Sequence, residues 1–180
     1  VKISSFADFF QPVMKFKMNN TLKFTIYILV FSLVWLVGEK LLGYHNTIVD
    51  WLPFTSLLWL ILVGVFYIVF LRTESATAAN WSFNKGFKSL LKLSVYWLLG
   101  FAVIKGIYYQ FVNPDYFNDL LLRGREWLTM SATSDENFEN ATQMMEDLLQ
   151  LPTYLAVTNA VQSVFCLVYS LLFPAFSKRK

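Results

Sequence analysis

The sequence predicts an all-α integral membrane protein. The expected form is a four-helix bundle, N-in and C-in, with two amphipathic helices in a long outer loop between the third and fourth spans. Three observations predict it. Of 180 residues, 56% are hydrophobic and 15% charged, whereas ordinary soluble domains carry about 25% charged residues. Four apolar runs approach or exceed the ~20 residues that a bilayer core requires. The segments joining them alternate in the sign of their charge. The length suits one membrane domain, 1–180.

Residues 1–20 place Ile3, Phe6, Phe9, Phe10 and Val13 at helical spacing among Lys2, Asp8, Lys15 and Lys17. That pattern fits an interfacial amphipathic helix in the headgroup plane. The first span is expected over 22–42, with Lys23 snorkelling at its inner end. Its apolar run is too long for the core of a signal peptide and no small-residue cleavage site follows, so no cleavable leader is expected. Gly43 and the polar Tyr44-His45-Asn46 end it.

The second span is expected over 51–71, with Pro53 in the first turn, where its missing N–H costs little. Trp51 and Trp59 read as an interfacial aromatic belt. A polar loop follows Arg72, and Ser82 or Asn84 is suited to cap the next helix. The third span is expected over 86–111 and the fourth over 153–176, the latter followed by the basic Lys178-Arg179-Lys180.

Between them, 113–150 reads as an extracytoplasmic helical hairpin. Asn113-Pro114 forms a cap and first turn, and Phe117, Leu120, Leu121, Gly124, Trp127 and Leu128 trace one apolar face. Thr133 and Glu136 have capping-box spacing, and Phe138, Ala141, Met145 and Leu148 share a second face. The methionine-bearing stripe reads as packing.

Charge sets the orientation. Residues 1–23 and 72–92 each carry a net +3, and the C-terminal tail adds +3. The segment with Glu39, Lys40 and Asp50 is −1, and the long loop, with eight acids against Arg123 and Arg125, is −6. The positive-inside rule puts both termini and the 72–92 segment in the cytoplasm.

The stretch FNKGFKSLLKLSVYWLLGFAVIKGIYYQFVNPDY, the helix pair containing MMEDLL and the final span with its basic tail resemble the domain of unknown function 4199 family (DUF4199). The resemblance runs from about residue 15 to 180. It implies a small four-span protein of the bacterial inner (cytoplasmic) membrane, found mainly in Bacteroidota, with no assigned activity. It also implies, through an association with polyprenyl-phosphate glycosyltransferases, a membrane-associated protein partner.

Lys105 stands out, because an ionisable residue inside a span is a functional candidate by default. It is suited to pair with Glu39 or Asp50, or to hold an anionic headgroup; the blander reading is a lysine snorkelling to the outer interface. Lys85, Lys88 and Lys92 share one face of the foot of span three. They suit lipid phosphates or an acidic protein surface, although orientation alone accounts for them.

Asn159, Gln162 and Ser163 form a polar face of span four that seeks interhelical hydrogen bonds, with a substrate path as the alternative. His45 is the only histidine and reads as a loop residue near the headgroups. Without a second histidine or a nearby cysteine it makes no metal site. Cys166 reads as a small core residue.

No catalytic constellation, calcium loop, phosphate-cradling glycine loop or zinc spacing is present in the sequence. No cofactor, metal or nucleic acid is expected. The leading expectation is a non-enzymatic anchor, assembly or regulatory subunit for a membrane-associated partner. The alternative is binding or transport of an anionic or polyprenyl-linked lipid through a groove near Lys105. An enzyme acting on a lipid headgroup through the loop carboxylates is a third, weaker reading.

Overall fold

A computed structural model describes residues 19–45, 47, 50, 52–78, 80–131 and 135–176. Most of the expected interfacial helix over 1–20, Trp51, Thr133 of the capping pair and the basic tail lie outside the described residues. Six helices are present and no strand occurs among the described residues. They are α1 (Asn20–Leu41), α2 (Leu52–Thr77), α3 (Phe83–Ile107), α4 (Tyr116–Ser131), α5 (Asp135–Leu148) and α6 (Leu151–Phe176). Four of them, α1, α2, α6 and α3 with its extension, are long and apolar enough to cross a membrane. The chain is a multi-pass membrane protein by that measure.

Each boundary has a local cause. Asn19 caps α1, its side chain accepting the Thr21 N–H at 3.1 Å. At the other end the Gly43 N–H bonds Lys40 O at 3.0 Å and the Tyr44 N–H bonds Glu39 O at 2.9 Å. This Schellman closure needs a left-handed residue, and Gly43 supplies it with φ 82°.

Helix α2 runs past the predicted end at residue 71 to Thr77. Its added turns are polar yet satisfied: Thr73 Oγ1 donates to Val69 O at 2.9 Å, and Glu74 Oε1 accepts from Asn20 Nδ2 at 2.9 Å. Ser82, rather than Asn84, caps α3, accepting the Lys85 N–H at 3.4 Å.

Helix α3 does not end at Ile107 but widens into a π turn over Tyr108–Val112, closed by Asn113 N–H to Tyr108 O at 2.9 Å. The Asn113 N–H is spent on closing α3, while its carbonyl accepts the Tyr116 N–H at 3.3 Å. Helix α4 starts at Tyr116, two residues beyond the expected first turn at Pro114, with the Asp119 N–H bonding Asp115 O at 3.0 Å.

Helix α3 is the organising element, packing against α1, α2 and α6, while α1 and α6 each also pack on α2. Lipid supplies no hydrophobic drive between helices, so close approach depends on small residues at the contacts. A Cβ at Gly100 of α3 would stand 2.7 Å from Leu29 Cδ1 of α1, and one at Gly86 would stand 3.1 Å from Pro174 Cβ of α6. The core is aromatic: Trp59, Trp97 and Phe101 lie with ring centroids 5.0–5.9 Å apart. Trp59 is only 5% exposed. It therefore belongs to the interior and not to the expected interfacial belt, because it lies on the face of α2 turned to α3.

Tyr67 ties three helices, donating to Ser94 Oγ at 2.9 Å and meeting Cys166 Sγ at 3.3 Å. The outward faces carry residues such as Val34, Leu99, Val103 and Val164, all more than half exposed, as lipid contact requires. Helices α4 and α5 pack on one another, with Met145 filling the space left by Gly124 and Arg125 pairing with Glu146. Trp127, assigned by its spacing to the packed face, is 66% exposed, because that face follows Phe117, Leu120, Leu121, Gly124 and Leu128.

Candidate functional site

Lys105 is turned inward and is 2% exposed. Its Nζ donates to Asn159 Oδ1 at 2.8 Å, Thr158 Oγ1 at 2.9 Å and Gln162 Oε1 at 3.2 Å. The Phe101 ring lies under it, with its centroid 5.0 Å away. The ammonium has three N–H groups, so its hydrogen bonds are met. Its charge is not: all three acceptors are neutral, and no carboxylate among the described residues lies within ion-pair distance of it.

Neither the expected pairing with Glu39 or Asp50 nor the snorkel is what forms. The polar stripe on α6 outcompetes the interface because it offers three acceptors one helix away. Thr158, which precedes Asn159 on the same helix, is one of them. Ser163 is not: it is exposed and bonds back to Asn159 O at 2.7 Å. Four residues separate the two, yet Ser163 sits on the outer side of the helix.

A second buried polar group faces the first. The closure at Gly43 folds the chain back over the end of α1, which brings His45 onto Glu39. His45 Nε2 lies 3.2 Å from Glu39 Oε2, and Nδ1 lies 2.9 Å from Tyr108 Oη. Trp35 Nε1 donates to Glu39 Oε1 at 2.9 Å. Tyr108 Oη, in contact with Nδ1, also donates to Leu36 O at 3.3 Å, which ties the histidine to the backbone of α1.

His45 is 1% exposed and Glu39 6%. His45 is thus a core residue and not the headgroup-level loop residue its sequence neighbourhood suggests. The signal was present: a lone acid at the end of an apolar run, a glycine, then the only histidine.

The π turn matters here. Consecutive residues on an α-helix point about 100° apart, yet Tyr108 and Tyr109 are both buried. Tyr108 reaches His45, while Tyr109 joins Tyr116 and Tyr154, whose hydroxyls lie 3.1 Å apart. Such π turns recur at functional positions in helices. Burial pushes the Tyr116 phenol well above its ordinary pKa, and the neighbouring Tyr154 adds to the shift.

These groups line one cavity of about 210 Å3. Glu39 and His45 form one wall, Lys105 and Gln162 another, and Trp35, Trp59, Tyr109, Tyr116 and Tyr154 contribute aromatic surface. Its exposed members are Ser56 of α2 and Val157 and Val161 of α6, so it opens sideways between those helices. Trp59 Nε1 is buried without a hydrogen-bond partner.

A family model described as protein of unknown function (DUF4199) matches residues 23–179. The chain belongs to that family. No curated protein and no solved structure matches it. Within this DUF4199 chain, Lys85, Lys88 and Lys92 stand apart from the cavity, exposed along the far end of α3. Lys85 Nζ donates to Asn80 O at 2.7 Å, and Lys92 Nζ lies 5.8 Å from the Tyr96 ring centroid. No group of histidine, cysteine and carboxylate side chains among the described residues is placed to hold a metal ion.

Proposed function

We propose that this DUF4199 protein binds an anionic lipid headgroup, lipid-linked phosphates of the polyprenyl type included, in the cavity beside Lys105. The buried ammonium whose three partners are all neutral carries this reading. A buried charge without a counter-charge is costly, and an anion entering between α2 and α6 supplies the missing one. Gln162, the longest of the three contacts and itself part of the cavity lining, is the partner an anion replaces.

In this reading the four long helices form a bundle in a bacterial inner membrane, N-in and C-in. Lys85, Lys88 and Lys92 are then cytoplasmic, and Lys105, Glu39 and the α4–α5 hairpin lie toward the outer face. The test is mass spectrometry of lipid retained after gentle detergent extraction. Lys105→Gln keeps a polar side chain and removes the charge; it is expected to lower retention of anionic lipid about tenfold or more. Equal retention by wild type and variant overturns the reading.

A second reading rests on a different observation. Lys85, Lys88 and Lys92 present an exposed basic face with no ion pair among the described residues. That face suits an anchor or assembly subunit for a peripheral enzyme with an acidic surface, such as a polyprenyl-phosphate glycosyltransferase. The triple glutamine variant at these positions is expected to release a co-purifying protein without altering lipid retention.

A further inference from the structure

The cavity holds two opposite charges that do not meet. Lys105 and Glu39 both line it, yet they form no ion pair, and each is held back by its own partners. The Glu39 carboxylate accepts from Trp35 Nε1 at 2.9 Å and meets His45 Nε2 at 3.2 Å. Trp59 lines the cavity too, and its N–H is buried with no acceptor among the described residues. A plain anion satisfies Lys105 and Trp59 but places a second negative charge in the same small space as Glu39.

We propose that the ligand is a zwitterion carrying an anionic oxygen group and a primary ammonium. The inference rests on the anion-binding reading above and names the ligand class for that site. The oxyanion sits between the Lys105 ammonium and the Trp59 N–H. The ammonium sits at Glu39, flanked by the rings of Trp35, Tyr109 and Tyr116, which attract a cation through their faces. A primary ammonium fits better than a quaternary one, because Glu39 accepts N–H donors and a quaternary group has none.

Size agrees. A cavity of about 210 Å3 is below the ~300–1,000 Å3 typical of sites that enclose a drug-sized molecule. It admits a headgroup and leaves any acyl chain to pass out between Ser56 and the exposed Val157 and Val161. The same chemistry belongs to a phosphatidylethanolamine headgroup and to a free amino-phosphate or amino acid.

The test uses the full chain in nanodiscs that offer phosphatidylethanolamine, phosphatidylglycerol and phosphatidylcholine in equal amounts, with retained lipid read by native mass spectrometry. Wild type is expected to favour phosphatidylethanolamine about tenfold over the other two. Glu39→Gln is expected to abolish the preference over phosphatidylglycerol while retaining that anion. Trp59→Phe preserves the ring and removes the N–H; it is expected to weaken retention about fivefold without a change in melting temperature, which separates binding from folding. Ser163→Ala, outside the cavity, is expected to match wild type.

Stabilisation by free phosphoethanolamine in thermal melts, lost in Glu39→Gln and without selective lipid retention, supports the zwitterion and makes the source a soluble one. Equal retention of phosphatidylglycerol and phosphatidylethanolamine by wild type, with no response to phosphoethanolamine, overturns the zwitterion and leaves the anionic site standing. Wild-type retention by Lys105→Gln overturns both.

Discussion

Lys105 Nζ and Asn159 Oδ1 lie 2.8 Å apart, joining α3 to α6 through a cation and a neutral amide. Removing only the lysine leaves Asn159 and Gln162 without their donor. Lys105→Met is therefore expected to destabilise the protein by about 2 kcal/mol. Combining it with Asn159→Leu and Gln162→Leu should recover much of that loss, because two of the three acceptors go with the lysine and the third, the Thr158 hydroxyl, still bonds Leu155 O. Thermal unfolding in detergent measures both. A triple variant no more stable than the single one contradicts the account.

His45 holds Glu39 on one side and Tyr108 on the other. His45→Ala removes both contacts and opens a void in the core, so a loss of about 3 kcal/mol is expected. His45→Gln, which keeps one donor and one acceptor, should lose less than half as much. Chemical denaturation of the two variants side by side checks the order.

Gly43 directs His45 onto Glu39 from a backbone conformation with φ 82°. A side chain there is strained, and Gly43→Ala is expected to cost about 1 kcal/mol. The readout specific to this turn is hydrogen exchange at the Tyr44 amide, which bonds Glu39 O. It should quicken in the variant while amides in the middle of α1 remain slow.

Tyr116 is buried with its pKa raised, first by burial and then by Tyr154. A phenol raised in the folded state contributes fully below the unfolded tyrosine pKa of about 10 and is lost as pH climbs toward the folded value. Stability should therefore fall above about pH 10. Tyr116→Phe should flatten that alkaline slope, as followed by thermal melts from neutral to alkaline pH. An unchanged slope refutes this role.

Much of the fold was legible because lipid demands long uninterrupted apolar runs and the sequence has four. Their ends were less so. Thr73, Glu74 and Ser75 look like a loop by composition but continue α2, since hydroxyls bond back to the helix and Glu74 finds Asn20 across the contact. Lys105 and the polar stripe of α6 were each visible, but their meeting was not, because spacing within one helix does not say which neighbour it faces. His45 was misplaced for a related reason: a short polar loop reads as solvated unless the turn that folds it back is known. The unpartnered N–H of Trp59 leaves no trace in a sequence at all.

The π turn at Tyr108–Val112 amounts to one residue more than an α-helix needs over that stretch. Deleting one residue there would restore regular winding and rotate all that follows by about 100°. Tyr116 and the α4–α5 hairpin would then swing around the axis of α3, away from Tyr154 and His45. The count of residues between Lys105 and Tyr116, and not only their kind, thus acts as an angular setting: it fixes how the α4–α5 hairpin is clocked over the cavity.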